Sequence, residues 1–250
     1  MRALTLAFIL CLLAAAAQTA PDSTGEPPRS KSQTKMQHVT FATEDGGRIY
    51  ANVYGEGDRG VVLAHGGRFT KESWQPQAEE LVRAGFRVLA FDFRGFGESH
   101  GPGEKDMYSA PMHLDVLAAV RYLRKNGAKT VSVMGGSFGG GAAADASTAS
   151  QPGEIDRLIL LAAAGNGPAE RIQSPLLVIV ARDDTSGDGP RLPHIRAWFD
   201  KAPEPKQLIV LDGSAHAQGL FQTEQGDLVM KEVLRFLTAK VLEGANPQVN

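Results

Sequence analysis

Short apolar runs recur along the chain, each closed by a turn signal. They are Val61 to His65, Arg87 to Phe93, Thr130 to Met134, Leu158 to Ala162, Leu176 to Ala181 and Gln207 to Leu211. Such runs predict strands buried on both faces, where no polar alternation is needed. Between them the apolar positions fall three and four apart, the spacing of one helix face. Leu114, Leu117, Val120 and Leu123 form one such stripe, which Gly127 ends. Met230, Val233, Leu234, Leu237 and Val241 form another within Asp227 to Val241. Further helices are expected over Gln75 to Arg83, with Pro76 in its first turn and Gly85 past its end, and over His194 to Lys201. Ahead of all these, His38 to Ala42 and Arg48 to Tyr54 flank Asp45-Gly46-Gly47, a hairpin signal.

Strands alternating with helices imply an α/β fold: a mostly parallel sheet of about eight strands with helices on both faces, and an antiparallel hairpin at its start. No period of about 20 to 50 residues recurs. The ends of the chain differ from this pattern. Arg2 precedes an uninterrupted apolar stretch from Ala3 to Ala17, then Gln18-Thr19-Ala20-Pro21. Residues 1–20 read as a secretory signal peptide that is removed. Ala17 is the better cleavage point, since cleavage after Ala20 leaves Gln18 at −3. The stretch is shorter than the roughly 20 apolar residues that span a bilayer. Residues 21–37 carry Pro, Ser, Thr, Lys and Gln without apolar period and read as a disordered linker. The folded domain is expected over residues 38–243, with a flexible tail at 244–250.

A net charge of −2 argues against nucleic acid or an anionic membrane surface as partner. The one cysteine, Cys11, lies in the signal segment without a lipobox before it. The mature protein is therefore expected to hold neither a disulfide nor a thiol nucleophile. No His, Asp or Glu cluster has metal-ligand spacing, and no glycine-rich loop matches a nucleotide-binding pattern.

Chemistry enters at Gly135-Gly136-Ser137-Phe138-Gly139, directly after the run ending at Met134 and before the small-residue stretch Gly139 to Ala144. Strand, glycine-flanked serine and helix together describe a sharp turn that exposes the hydroxyl at the sheet edge. The glycines two residues either side of Ser137 suit a place where strand and helix leave no room for a Cβ. A serine hydroxyl needs a general base, and the base an orienting acid. Two more strands end in such groups: Leu176 to Ala181 in Arg182-Asp183-Asp184, and Gln207 to Leu211 in Asp212-Gly213-Ser214-Ala215-His216.

In this order the residues resemble an α/β-hydrolase from about His38 to the last helix. Five places carry the likeness: His65-Gly66-Gly67, the stretch Asp92 to Ser99, the Ser137 turn, Asp183-Asp184, and Gly213 to His216. The resemblance implies Ser137 as nucleophile, His216 as base and Asp184 as the acid that orients it. Family acids sit three residues past the small residue ending their strand, here Ala181, which selects Asp184 over Asp183. The backbone N–H groups of Gly67 and Phe138 would form the oxyanion hole. His65 is expected to fix the loop that aims Gly67. Asp92, Arg94 and Ser99 are expected to shape the turn after their strand, and Arg68 to be a solvated loop arginine. Phe69, Phe96 and Phe138 suit an acyl pocket and core packing equally. His38, His100, His113 and His194 read as surface or loop residues. No cofactor is implied.

Only Ala163 to Ser174 separates the two strands between which many relatives insert a lid, so no lid domain and an open crevice are expected. The implied function is a serine hydrolase of carboxylic esters acting through an acyl-enzyme on a small-molecule substrate. Peptidase, thioesterase or amidase activity on the same triad is the alternative. Halide and epoxide chemistry is disfavoured, because those relatives place a carboxylate where this chain has Ser137. A non-catalytic binding protein on the same scaffold is the other class. Export implies a periplasmic or secreted protein without stable membrane association once the signal is removed. The oligomeric state is not legible.

Overall fold

The computed structural model describes residues 35–103 and 109–239. The expected signal segment with Cys11, the linker up to residue 34, and the expected tail lie outside these residues. Eight strands form the main sheet: β1 (Met36–Ala42), β2 (Arg48–Tyr54), β3 (Arg59–Ala64), β4 (Arg87–Phe91), β5 (Thr130–Gly136), β6 (Leu158–Leu161), β7 (Leu176–Ala181) and β8 (Lys206–Leu211). Their spatial order is β1-β2-β4-β3-β5-β6-β7-β8. β2 runs antiparallel to both β1 and β4, and every later pairing is parallel. The expected mixed sheet is therefore present.

The continuous apolar runs become the central strands, and their alternation divides two cores. Val62, Val133, Leu160 and Val178 face one side, where α2 (His113–Lys125), α3 (Phe138–Ala149) and α4 (Arg191–Phe199) pack. Val61, Met134, Ile159 and Leu177 face the other, covered by α1 (Gln75–Arg83) and α5 (Gly226–Thr238). Both glycine stops act through backbone geometry. Gly85 and Gly127 sit at positive φ. The next residues, Phe86 and Ala128, donate back to the carbonyls of Leu81 and Leu123, closing the last turns of α1 and α2.

Several boundaries differ from the sequence pattern for local reasons. β1 starts at Met36 rather than His38, because Met36 and Gln37 continue the register opposite Tyr54 and Val53. β4 ends at Phe91, since the Phe93 N–H is taken by the His65 ring at 3.2 Å. β5 continues to Gly136, paired with Leu161. α4 begins at Arg191 rather than His194, with Pro190 as extended N-cap and Pro193 in the first turn, where a missing N–H costs nothing. α5 ends at Thr238; Val241 lies outside the described residues.

Residues 162–175, between β6 and β7, hold only a short 3₁₀ turn at Ala169–Arg171. That agrees with a fold lacking a lid domain. A two-residue hairpin, Thr185–Ser186 with Gly189–Pro190, follows β7 and was not legible in the sequence.

Candidate active site

Ser137 sits between the end of β5 and the first residue of α3, with φ 52° and ψ −118°. A non-glycine residue held at positive φ costs of order 1–3 kcal/mol, sustained by the surrounding packing. That packing is visible at both glycines. A Cβ on Gly135 would lie 2.8 Å from the Gly140 Cα, and one on Gly139 would lie 2.7 Å from the Ala64 carbonyl carbon. Each would collide with main chain, so strand, turn and helix can approach only with glycine there. The Ser137 N–H donates to the Leu161 carbonyl at 2.9 Å, tying the turn to β6. The other non-glycine residues at positive φ among those described are Ala162 and Ala217, the first following β6 and the second following His216. The strained backbone thus gathers at one end of the sheet.

The loops after β7 and β8 bring two further side chains to Ser137. His216 Nε2 lies 2.7 Å from Ser137 Oγ, and His216 Nδ1 lies 2.7 Å from Asp184 Oδ2. With the Nδ1–H donated to the carboxylate, Nε2 is left to accept from the serine hydroxyl. Asp184 is 1% exposed. Its neighbour Asp183 points into solvent and contributes only a backbone bond, N–H to the Gly213 carbonyl at 2.9 Å. The geometry therefore places Asp184, not Asp183, against the imidazole. Arg191 adds a charge behind the acid, its Nε 3.5 Å from Asp184 Oδ1.

Gly67 follows β3 and lies close to the elbow: a Cβ placed on it would stand 3.6 Å from the Phe138 Cβ. Both residues line the same cavity as Ser137 and His216. Their N–H groups are the expected pair of oxyanion donors. The loop carrying Gly67 is held from three sides. His65, fully buried, donates from Nδ1 to the Gly66 carbonyl at 2.9 Å while Nε2 accepts from Phe93 N–H. Burial pushes its pKa down, which keeps the ring neutral in that role. Gln218 Oε1 accepts from Gly66 N–H at 3.0 Å, and its Nε2 donates to Ser73 Oγ at 2.8 Å. Asp92 accepts from Lys71 N–H at 2.7 Å and from Lys71 Nζ at 2.6 Å. Burial opposes the Lys71 charge, but the Asp92 and Glu72 carboxylates prevail and raise its pKa. Gln218 and Lys71 escaped the sequence reading. The only available signal was the nearness of Gln218 to His216.

Arg94 and Ser99 serve the turn after β4. Arg94 donates to Asp115 and Asp45, and its guanidinium holds the Asp45 carboxyl far below the usual range. Ser99 Oγ accepts from the Tyr50 N–H at 2.9 Å. Phe96 packs edge-on to His65 with ring centroids 4.8 Å apart. Phe138 packs on Phe93 at 5.2 Å and also faces the crevice, while Phe69 stands 40% exposed at its rim. His38 bonds Asn52 Oδ1 at 2.8 Å on β1, and His100 bonds the Glu98 carbonyl at 3.0 Å. His194 is exposed on α4 and borders the crevice. Among the described residues no group of three or more His, Cys, Asp or Glu is placed to ligate a metal.

Two cavities flank Ser137. One, of about 500 Å³, is lined by Ala162 to Asn166 and the start of α4. The other, of about 750 Å³, is lined by the Gly66–Phe69 loop, the hairpin after β7 and His216. The wall at Asn166 and Gly167 is stiff: Asp145 accepts both backbone N–H groups at 3.0 Å, and Trp198 Nε1 donates to the Gly167 carbonyl.

A mixed eight-stranded sheet with Ser, Asp and His at the carboxyl ends of β5, β7 and β8 defines a class of enzyme scaffold. Residues 60–217 match the alpha/beta hydrolase fold family, and the chain belongs to that family. It is 36% identical over 116 residues to Bifunctional epoxide hydrolase 2 of Sus scrofa, a match covering 46% of this chain and 20% of that protein. It is 31% identical over 154 residues to a non-heme chloroperoxidase of Streptomyces lividans, covering 60% and 49%. The chain thus spans from a fifth to about half of the length of these curated relatives. An esterase from Pyrococcus furiosus superposes with a TM-score of 0.70 at 20% identity, over 87% of this chain and 97% of that one, a likeness of fold.

Proposed function

We propose that the protein is a serine hydrolase that cleaves carboxylic esters through an acyl-enzyme. The observation that carries this reading is the hydrogen-bonded chain from Ser137 Oγ through His216 to buried Asp184. In the proposed cycle Ser137 Oγ attacks the ester carbonyl as His216 Nε2 takes its proton. Asp184 stabilises the imidazolium, and the Gly67 and Phe138 N–H groups receive the negative oxygen. His216 then protonates the leaving alkoxide, and a water repeats the sequence on the acyl-enzyme, releasing the acid and restoring Ser137.

The names of the relatives span epoxide hydrolase, chloroperoxidase and esterase. The Ser137 hydroxyl, hydrogen-bonded to His216, is a nucleophile suited to acyl transfer. The apolar segment after Arg2 supports export to a periplasm or the medium as part of the same proposal.

Turnover of p-nitrophenyl esters from acetate to decanoate, by the wild type and Ser137→Ala, tests the reading. The chain-length profile of that activity measures how much of the cavities of about 500 and 750 Å³ beside Ser137 the acyl chain uses. Activity should fall by at least about a thousandfold in the variant. Failure on every ester with Ser137 still labelled by a fluorophosphonate would favour amide, peptide or thioester substrates. Failure with no label would leave a binding protein.

A further inference from the structure

Arg191 is the first residue of α4 and lines both cavities beside Ser137. Its backbone N–H is used, donating to the Asp184 carbonyl at 2.9 Å. Its guanidinium reaches a single carboxylate among the described residues, Asp184. The side chain is 33% exposed, and its Nε is buried without a hydrogen-bond partner. Asp184 Oδ1 at 3.5 Å forms an ion pair with Nε but no hydrogen bond, while His216 holds the other oxygen, Oδ2. Among the described residues no other carboxylate forms an ion pair with Arg191; Asp188 lines both cavities but is not paired with it. An arginine presents a planar fork of donors suited to a carboxylate. Only Nε, which faces Asp184, is buried without a hydrogen bond; the side chain is otherwise part-exposed in the lining of both cavities, where a carboxylate would give its fork a charge-assisted partner.

The remaining lining points the same way. Arg68 adds a second cation on the oxyanion side of the crevice, against Asp188 as its only acid. The smaller cavity offers mainly small and polar groups, Ala162 to Gly165, Asn166 and Ser186, rather than a broad apolar wall.

We infer that Arg191 binds a carboxylate carried by the substrate, so that the ester cleaved at Ser137 belongs to an anionic molecule. This inference rests on the proposed esterase activity and narrows its substrate class. It assigns Arg191 a role in specificity; a purely positioning role, acting through Asp184, is the competing account.

Paired substrates separate the two. The anionic 4-nitrophenyl hydrogen adipate is compared with 4-nitrophenyl hexanoate, and 4-acetoxybenzoate with its neutral methyl ester. The first pair carries the charge on the acyl side, the second on the leaving group. The wild type should prefer the anionic member of at least one pair by about tenfold or more in kcat/KM, mainly through KM. That preference should collapse in Arg191→Gln and return in part in Arg191→Lys. Whatever the substitution does to Asp184 acts equally on both members of a pair and cancels in the ratio. In the wild type, raising ionic strength should raise KM for the anionic member alone, a readout that needs no variant. Ratios near one in the wild type, or a ratio unchanged in Arg191→Gln, would overturn the inference while leaving the esterase reading intact. Absence of turnover on all four esters together with no fluorophosphonate label on Ser137 would overturn both.

Discussion

Replacing Asp184 with Asn tests the triad at its least visible member. The carboxylate accepts the Nδ1 proton of His216 at 2.7 Å, and burial leaves no bulk water to compete for that bond. An Asn side chain is nearly isosteric but can donate through its NH₂. Facing Nδ1 with a donor favours the opposite tautomer, with the proton on Nε2. In that state Nε2 donates toward Ser137 Oγ, 2.7 Å away, and can no longer accept its proton. The imidazolium also loses its counter-charge. The expected fall in kcat is about 10⁴-fold, equivalent to about 5.5 kcal/mol of barrier. KM should change little, because Asp184 does not line the cavities. Asp183→Asn is the matched control: its side chain is exposed and makes no contact with His216, so kcat should stay within about threefold. Steady-state hydrolysis of p-nitrophenyl acetate by both variants reads the difference. A loss below about tenfold in Asp184→Asn, or equal losses in the two variants, would refute this assignment of the acid.

Three further outcomes follow from the same geometry. Gln218→Leu should lower kcat by about tenfold to a hundredfold with KM nearly unchanged, because the Gly66 N–H loses its acceptor and the loop aiming Gly67 loosens; unaltered kcat would contradict that support role. Gly139→Ala should destabilise the fold by about 3 kcal/mol in urea titration, since the new methyl meets the Ala64 and His65 carbonyls, and a change under about 1 kcal/mol would show that the elbow has slack. His65 makes stability depend on pH: its folded pKa lies below the ordinary 6.5, so the unfolded chain binds more protons as pH falls below that value. Stability should therefore decline from pH 6.5 downward, less steeply in His65→Asn, and parallel slopes in the two proteins would argue against a neutral buried ring.

The parts of the site that were legible are those whose chemistry is local in the chain. Gly135 and Gly139 announce the elbow because no other residue fits beside the main chain at those places. Asp184 and His216 announce themselves by closing apolar runs that can only be buried strands. What stayed hidden depends on residues far apart in sequence. Gln218 reaches back to Gly66 and Ser73, and Lys71 acts through Asp92. Neither pairing leaves a local signal. Arg191 was hidden for a related reason: the helix expected over His194 to Lys201 leaves out Arg191, the first residue of the element that sets it in the crevice. Arg94 was placed correctly in its turn, but its anchor to Asp115 on α2 emerges only from the packed fold.

The central claim is that Ser137 is a nucleophile activated by His216. Labelling the intact protein with a fluorophosphonate and locating the adduct by peptide mass tests it most directly. The account predicts one adduct, on Ser137, formed slowly or not at all in His216→Ala. A wild type that resists labelling, or an adduct on another serine, would contradict it.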